Sequence, residues 1–159
     1  MAIANDRQSI KCIILTLRNE NIIVPDTLVA EIVSVKDIVL SDETRPAWYL
    51  GDMRWHGIDV PLLSFEAAGG MQQVSVNLNT QAVVLYAVAK DGQVVKVPYI
   101  SLVMSGVPHI TNFSRNQFKF DSEATEDHPM VAQNVRINGA RVSILDIDAM
   151  VGMVSDLAA

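Results

Sequence analysis

Residues 48–70 read WYLGDMRWHGIDVPLLSFEAAGG, and this stretch contains the clearest structural signal in the chain. It holds both tryptophans, Trp48 and Trp55, and a glycine follows each of them within three positions. Gly57 supplies the positive φ angle that a tight hairpin turn requires, whereas Pro61 has no N–H group and is expected at a sheet edge or a bulge. The stretch therefore predicts a β-hairpin, with strands at about 51–55 and 58–64 and a turn at 56–57.

Short runs rich in Val and Ile alternate with turn residues along the rest of the chain, which is typical of a protein made of β-strands. The strands predicted from these runs lie at 10–17, 22–24, 82–89, 94–97, 131–137 and 140–145. Asn138-Gly139 is the strongest turn signal, because both residues suit the positive φ angles of a type I′ hairpin turn. Residues 67–71, which read AAGGM, are expected to form a flexible loop.

Two aspartates are placed to cap helices, since a carboxylate can accept hydrogen bonds from the first N–H groups of a helix. Asp26 predicts a short helix over 27–33, and its inward face would carry Leu28, Val29, Ile32 and Val33. Asp146 predicts a final helix, and its apolar face would carry Ile147, Met150, Val151, Val154 and Leu157.

Three predicted return strands end in Val-Pro, at Pro25, Pro61 and Pro98, and these prolines are 36 and 37 residues apart. The spacing is consistent with two similar small barrels, although prolines at strand ends also recur by chance. Regular turns and short strands favour barrels or a sandwich in either case.

The composition is that of a folded globular protein: the chain has 159 residues, of which 50% are hydrophobic and 19% charged. Eighteen acidic residues against twelve basic ones give a formal charge of −6, and no Lys/Arg cluster is present, so nucleic-acid binding is disfavoured. No apolar run reaches the roughly 18 residues of a membrane span, and the N-terminus does not resemble a signal peptide. The single cysteine, Cys12, is expected to be buried in a strand. We expect a soluble protein of a reducing compartment.

No residue pattern in the sequence points to catalysis. The histidines His56, His109 and His128 have no Cys or His at metal-ligand spacing, and helix capping explains Asp146 and Asp148 better than metal binding does. The acidic residues before Pro129 indicate a solvated loop, with a weak divalent-ion site as the alternative. Nucleophile-elbow and phosphate-binding glycine motifs are missing. We therefore predict a protein that is not an enzyme and that needs no cofactor or metal.

The hairpin at 48–70 resembles the central signature of CheW-like coupling domains. In this chain the signature comprises Tyr49-Leu50-Gly51 and then residues 55–65, which read WHGIDVPLLSF. The first hairpin and Val29-Ala30-Glu31-Ile32 resemble that family's first hairpin and its Val-x-Glu-Ile helix. The hairpin at 82–97, the Asn138-Gly139 hairpin and the capped last helix fit in the same order, so the resemblance covers nearly the whole chain.

The resemblance implies that residues 1–159 form a single CheW-like domain of two intertwined SH3-like five-stranded β-barrels with a few short helices. It implies a non-enzymatic adaptor of the bacterial cytoplasm that couples chemoreceptors to a CheA-type histidine kinase. One barrel end would pack on the regulatory domain of the kinase. The groove between the barrels would take the helical hairpin tip of a methyl-accepting chemoreceptor. Neither nucleic-acid binding nor direct membrane insertion is expected.

The resemblance also supplies the candidate site residues. The residues expected to bind partners are Val29, Glu31, Trp55, His56 and Gly57. The residues expected to form the structural signature are Trp48, Gly51, Val60 and Pro61. We expect the two tryptophans on the two arms of the hairpin, where large rings can close a barrel end. Ordinary core packing of both rings, and a solvated helix position for Glu31, are the alternatives.

Two positions depart from the flagellar members of the family. His56 stands where they usually carry an arginine that takes part in receptor coupling, and Val97-Pro98-Tyr99-Ile100 replaces a Val-Asp stretch. The departures resemble the adaptors of type IV pilus chemosensory systems, the ChpC kind. Two other functions stay open: a small-molecule-binding or hydrolytic β-barrel protein with a site between the barrels, and a kinase-binding protein that lacks receptor contact.

Overall fold

The computed structural model describes residues 9–17, 20–35, 37–40, 44–70, 76, 79–87, 98–104, 107–121 and 128–157. The chain divides into two compact units. The first unit comprises Met1–Leu28, Ser105–Asp127 and Val131–Leu145, and the second comprises Val29–Met104, His128–Met130 and Asp146–Ala159. Each unit therefore combines segments that are remote from one another in sequence.

The described residues form a mainly β structure with a few short helices, as predicted. In chain order the strands are β1 Ser9–Leu17, β2 Glu20–Pro25, β3 Val29–Ser34, β4 Ile38–Leu40, β5 Tyr49–Trp55, β6 Ile58–Leu63, β7 Gln81–Tyr86, β8 Tyr99–Met104, β9 His109–Ser114, β10 Phe118–Phe120, β11 Val131–Ile137 and β12 Ala140–Leu145. The α-helices are α1 Phe65–Ala68 and α2 Ile147–Leu157, and single 3₁₀ turns lie at Asp26–Leu28 and Arg115–Gln117.

The strands make two six-stranded sheets with the same pattern of neighbours. The first sheet, β10-β11-β12-β2-β1-β9, belongs to the first unit, and the second sheet, β4-β5-β6-β8-β7-β3, belongs to the second. Neighbouring strands are antiparallel except for one pair in each sheet, β12 with β2 and β6 with β8. The short edge strands β4 and β10 bring each sheet to six strands, one more than the family resemblance implied.

Two hairpins have the turn geometry that the sequence predicted. His56 and Gly57, between β5 and β6, have φ angles of 47° and 80°, and Asn138 and Gly139, between β11 and β12, have φ angles of 52° and 85°. Consecutive positive φ angles are those of a type I′ turn, whose twist matches the twist of the flanking strands. The four strands agree with their predicted bounds to within two residues.

The helix predicted over 27–33 is wrong. Only Asp26–Leu28 turns, as a 3₁₀ helix, and Val29–Ser34 is strand β3, paired antiparallel with β7. The segment contains the β-branched residues Val29, Ile32 and Val33, which favour an extended chain. Pairing with β7 also satisfies its backbone groups, whereas so short a helix is unstable by itself.

The loop predicted at 67–71 begins as a helix, since α1 covers Phe65–Ala68. The hydroxyl of Ser64 starts α1 by accepting a hydrogen bond of 3.1 Å from the N–H of Ala67. Asp146 caps α2 as predicted, because its Oδ1 accepts a hydrogen bond of 3.0 Å from the N–H of Ala149. The buried residues of α2 are Ile147, Met150 and Val154.

Pro61 lies in an interior strand and not at a sheet edge or a bulge. Strand β6 is flanked by β5 and β8, and its parallel pairing with β8 begins one residue later, at Leu62. The hydroxyl of Ser101 donates a hydrogen bond of 2.7 Å to the carbonyl oxygen of Pro61. The carbonyl group of Pro61 thus accepts a hydrogen bond from β8, and the proline precedes the first residue that pairs with β8.

Several further predictions have mixed outcomes. Cys12 is buried in β1, with 3% of its surface exposed, as predicted. The strand predicted at 82–89 corresponds to β7, whereas β4, β8, β9 and β10 were not predicted. The turn at 90–93, the strand at 94–97 and the acidic loop at 123–127 lie outside the described residues.

His128 has a structural role in the second unit. Its ring stacks on that of Phe65, with centroids 3.9 Å apart and planes inclined by 12°. Nε2 lies 2.7 Å from the carbonyl oxygen of Phe65, and Nδ1 lies 3.0 Å from the backbone nitrogen of Met130. The two contacts select the neutral imidazole tautomer that carries its hydrogen on Nε2. The side chain thereby attaches residues 128–130 to α1.

Gly51 is the position of β5 where a side chain is least tolerated. Its φ angle is 151°, and an added Cβ would lie 2.2 Å from the carbonyl oxygen of Val39 on β4. We expect Gly51→Ala to lower the free energy of unfolding by about 3 kcal/mol, because backbone strain adds to displacement of the edge strand.

Gly152→Ala is the matched control for Gly51→Ala. Gly152 lies in α2, and an added Cβ meets nothing within 4 Å, so the substitution should raise the free energy of unfolding by about 1 kcal/mol. Urea denaturation of both variants tests the pair, and similar changes in the two would contradict this account of Gly51.

Ionisation of Tyr49 makes the stability of the fold depend on pH in the alkaline range. The side chain is buried at the start of β5, and its hydroxyl donates to Asp52. Burial, followed by the hydrogen bond to Asp52, raises the pKa of Tyr49 from 10 to about 12. Because the pKa is raised in the folded state, the stabilisation is complete below about pH 10 and is lost as the pH rises to about 12. We expect the free energy of unfolding of Tyr49→Phe, measured by urea denaturation, to fall less than that of the wild type between about pH 10 and pH 12. An unchanged pH profile would contradict the assignment.

Candidate partner-binding site

Three of the five predicted partner-binding residues meet in the second unit, beside the turn between β5 and β6. Nε1 of Trp55 donates a hydrogen bond of 3.2 Å to Oε2 of Glu31, and Nε2 of His56 lies 3.4 Å from the same oxygen. Trp55 ends β5, His56 begins the turn and Glu31 lies on β3. We call Glu31, Trp55 and His56 the Trp55 site.

Trp55 joins the core of the second unit to its surface. The indole packs partly buried against the apolar cluster that contains Leu50, Met53 and Leu62. Its ring meets that of His56 edge to face, with centroids 4.6 Å apart and planes inclined by 88°. The indole is thus held by its apolar body while its N–H group is directed to Glu31, the usual arrangement for a tryptophan at an interface.

A β-bulge places Glu31. Val29 pairs with Leu85 and Glu31 pairs with Val84, so Ala30 is an extra residue in β3. Because neighbouring residues of β7 point to opposite faces, the bulge puts Val29 and Glu31 on opposite faces of the second sheet. Val29, predicted to bind partners together with Glu31, is therefore not brought into the Trp55 site.

The fifth predicted residue, Gly57, serves the turn. Its φ angle of 80° continues the positive φ of His56, and a Cβ added at Gly57 would meet no atom of the described residues within 4 Å. Gly57 thus keeps His56 at the tip of the hairpin, next to Trp55. Its place in the site is conformational, since it has no side chain to offer a partner.

The four signature residues lie in or just before the hairpin and shape it. Val60 is fully buried, while Gly51 and Pro61 allow the close approach to β4 and the junction with β8 described above. Trp48 directly precedes β5, and its carbonyl oxygen accepts a hydrogen bond of 2.8 Å from the N–H of Ser64. The placement of the two tryptophans on opposite arms was wrong, because Trp55 ends the same strand that Trp48 precedes.

Two tyrosines extend the site and were missed at the sequence level. The rings of Trp55 and Tyr99 have centroids 4.8 Å apart, and those of Tyr99 and Tyr86 are 5.6 Å apart. Tyr86 on β7 pairs directly with Tyr99 on β8, and Tyr86 is 43% exposed. Pairing the strand predicted at 82–89 with the residues that follow Pro98 could have placed the two tyrosines together.

The charges around the Trp55 site are mostly exposed. The side chains of Glu31 and His56 are 41% and 66% exposed, so the contact between them contributes little to stability. Arg54 pairs with Asp59 across the hairpin at 3.1 Å. Glu31, Asp37, Arg54, Trp55 and His56 line a pocket of about 400 Å³. Within the described residues, no group of three His, Cys, Asp or Glu side chains could hold a metal ion.

The fold and the site together define a class: a two-sheet β protein with a half-exposed aromatic and carboxylate surface, suited to contact with another protein. The family model of the CheW-like domain matches residues 11–155, and the chain belongs to this family. The scaffolding protein TtCheW from Thermoanaerobacter tengcongensis has a similar solved structure. The TM-score is 0.67 at 14% sequence identity, and the match covers 86% of this chain and 84% of that chain.

At this identity the likeness to the solved structure establishes the shared fold. Membership of the CheW-like family makes the chain a scaffold or adaptor domain of chemotaxis signalling. A search of the curated proteins finds no match. Among the described helices, none is both long and apolar enough to cross a membrane.

The hydrogen bond between Trp55 and Glu31 should be measurable as a coupling energy. In a double-mutant cycle of Trp55→Phe and Glu31→Ala, we expect a coupling of about 1 kcal/mol in the free energy of unfolding, because the bond is partly shielded from water. The exposed pair Arg54 and Asp59, replaced by alanine in the same way, should give less than about 0.5 kcal/mol. Urea denaturation measures both cycles. If the coupling between Arg54 and Asp59 exceeds that between Trp55 and Glu31, the hydrogen bond between Trp55 and Glu31 does not stabilise the site as described.

Proposed function

We propose that this chain is a non-enzymatic adaptor that couples chemoreceptors to a CheA-type histidine kinase in the bacterial cytoplasm. The observation that carries the proposal is the match to the CheW-like domain over residues 11–155. The fold likeness to a scaffolding protein supports it. We take residues 1–159 as a single CheW-like domain and assign it no catalysis of its own.

We propose the Trp55 site as the partner contact of the second unit. Tryptophan and tyrosine are over-represented among the residues that dominate binding energy, and Trp55 and Tyr99 are held in fixed orientations by ring contacts. A rigid aromatic surface loses little conformational entropy on binding. Glu31 adds a directional polar contact at the edge of these rings.

Exposed apolar residues on edge strands offer further protein-binding surface. In the second unit, Val39 and Leu40 on the edge strand β4 are 72% and 65% exposed. In the first unit, Phe120 on the edge strand β10 is 73% exposed. Large apolar side chains exposed on an edge strand are typical of surfaces that another chain covers. We propose that docking on the regulatory domain of the kinase uses such an edge.

We further propose that the adaptor serves a type IV pilus chemosensory pathway and resembles the ChpC kind. The support is the pair of departures from the flagellar pattern, His56 in the hairpin turn and Tyr99 at the start of β8. Both residues lie at or beside the Trp55 site. The departures therefore alter the proposed receptor contact and leave the hairpin geometry intact.

Binding to purified partners tests the proposal. We expect calorimetry at moderate salt to show micromolar binding of the full chain to the regulatory domain of a CheA-type kinase, or to a chemoreceptor tip fragment, from the same organism. Glu31→Lys should weaken binding to at least one partner tenfold or more. Loss of the hydrogen bond to Trp55 should lower the free energy of unfolding by only about 1 kcal/mol, so the variant stays folded.

Asp156→Lys is the matched control, since it makes the same charge change at an exposed residue of α2. We expect this variant to bind like the wild type. Equal losses in both variants would indicate a general effect of charge and would remove Glu31 from the interface. If the folded chain binds neither partner, and a small molecule raises its melting temperature, the small-molecule-binding alternative takes precedence.

A further inference from the structure

We propose that the Trp55 site binds an arginine side chain of its protein partner, with the guanidinium group against Glu31 and over the neighbouring aromatic rings. The inference rests on the proposed function, because it specifies what the same site recognises. It names the chemistry of the contact, which neither the family nor the fold assigns.

The carboxylate of Glu31 is oriented before any partner arrives. Trp55 and His56 both approach Oε2, at 3.2 Å and 3.4 Å, and the side chain is 41% exposed. Among the described residues both of these contacts involve one oxygen, so a partner's donor can approach Oε1. A guanidinium group has several N–H donors in a rigid plane, which suits a carboxylate that is held from one side.

The aromatic rings supply the second element of cation recognition. Trp55, Tyr99 and Tyr86 form a continuous row of rings across β5, β8 and β7, with centroid separations of 4.8 Å and 5.6 Å. Cations are attracted to the faces of aromatic rings, most strongly to tryptophan, and arginine takes part more often than lysine. Arginine is also less strongly hydrated than lysine, so it loses less on leaving water.

The local charge favours a cationic group. Arg54 is paired with Asp59 at 3.1 Å across the hairpin, so these two charges largely offset one another. Of the other described residues that line the pocket, Glu31 and Asp37 are acidic and His56 is the basic group. The chain as a whole carries a formal charge of −6, which adds a long-range attraction for a basic partner segment.

A pair of small probes tests the inference with the full-length chain. We would titrate the protein with N-acetyl-arginine amide and with N-acetyl-citrulline amide, which has nearly the same shape but no charge. The indole N–H resonance of Trp55 in NMR spectra reports on the site, and loss of one indole signal in Trp48→Phe assigns it. We expect a saturable shift with the arginine probe, at least fivefold weaker apparent binding with citrulline, and weakening of the arginine effect at high salt.

Matched variants separate the site from general electrostatics. Glu31→Gln keeps the shape of the side chain and removes its charge, and we expect it to weaken arginine binding at least fivefold. Asp156→Asn removes one exposed negative charge from α2, at a residue that does not line the pocket, and should bind arginine like the wild type. Equal shifts from arginine and citrulline, or unchanged binding in Glu31→Gln, would overturn the inference.

The same variants distinguish this inference from the proposed function. Suppose that wild type and Glu31→Gln bind the kinase domain or receptor tip equally well and that the arginine probe does not bind. The adaptor function then stands and the inference fails. Suppose instead that arginine binding depends on Glu31 and that neither protein partner binds. The site then recognises arginine as inferred, and the proposed partners are wrong.

Discussion

Two short parallel ladders hold the fold together. In the first sheet Ser143-Ile144 pairs with Ile22-Ile23, and in the second sheet Leu62-Leu63 pairs with Ser101-Leu102. An isolated two-stranded hairpin is at best marginally stable, because it cannot bury an apolar face. Each ladder joins one hairpin to another that is remote in sequence, and the apolar residues of the ladders are largely buried. Without these ladders each sheet would separate into two groups of three strands.

The ladders also explain why the units interleave along the chain. Strands β1–β6 and helix α1 have the same order as β7–β12 and helix α2, so the chain contains one topology twice. A shift of 82 residues relates the two tight turns and the two helix caps, Ser64 and Asp146. Each half contributes its first two strands to the sheet completed by the other half. The Val-Pro echo at 36–37 residues does not mark this repeat, because Pro61 lies within a strand while Pro25 ends one.

Sequence reasoning succeeded where the determinant was local. The turns at 56–57 and 138–139 and the cap at Asp146 depend on a few neighbouring residues whose backbone preferences are strong. It failed at 27–33, where only a 3₁₀ turn forms, at Asp26–Leu28, and where pairing with the remote strand β7 decided the outcome. Short edge strands such as β4 and β10 have no period long enough to recognise.

The candidate site shows the same division between local and remote determinants. Resemblance to a family placed Glu31, Trp55 and His56 together, and the structure brings them within hydrogen-bonding reach or close to it. It also grouped Val29 with them, which the bulge at Ala30 prevents. Tyr86 and Tyr99 could not be assigned from composition or spacing, because their relation to Trp55 depends on the order of β7, β8, β6 and β5 in the second sheet.

The repeated topology also shows that the same strand connections form without the residues of the Trp55 site. Matching the hairpins and ladders of the two sheets gives the positions of the first sheet that correspond to Glu31, Trp55, His56 and Tyr99. They are His109, Ile137, Asn138 and Asn21. Ile137 is buried, so the first sheet uses the Trp55 position for core packing alone. The first sheet forms the same connections without these aromatic and acidic residues, so the connections alone do not require them in the second sheet. We propose partner recognition as the reason for their presence, since tryptophan and tyrosine are over-represented among the residues that dominate binding energy.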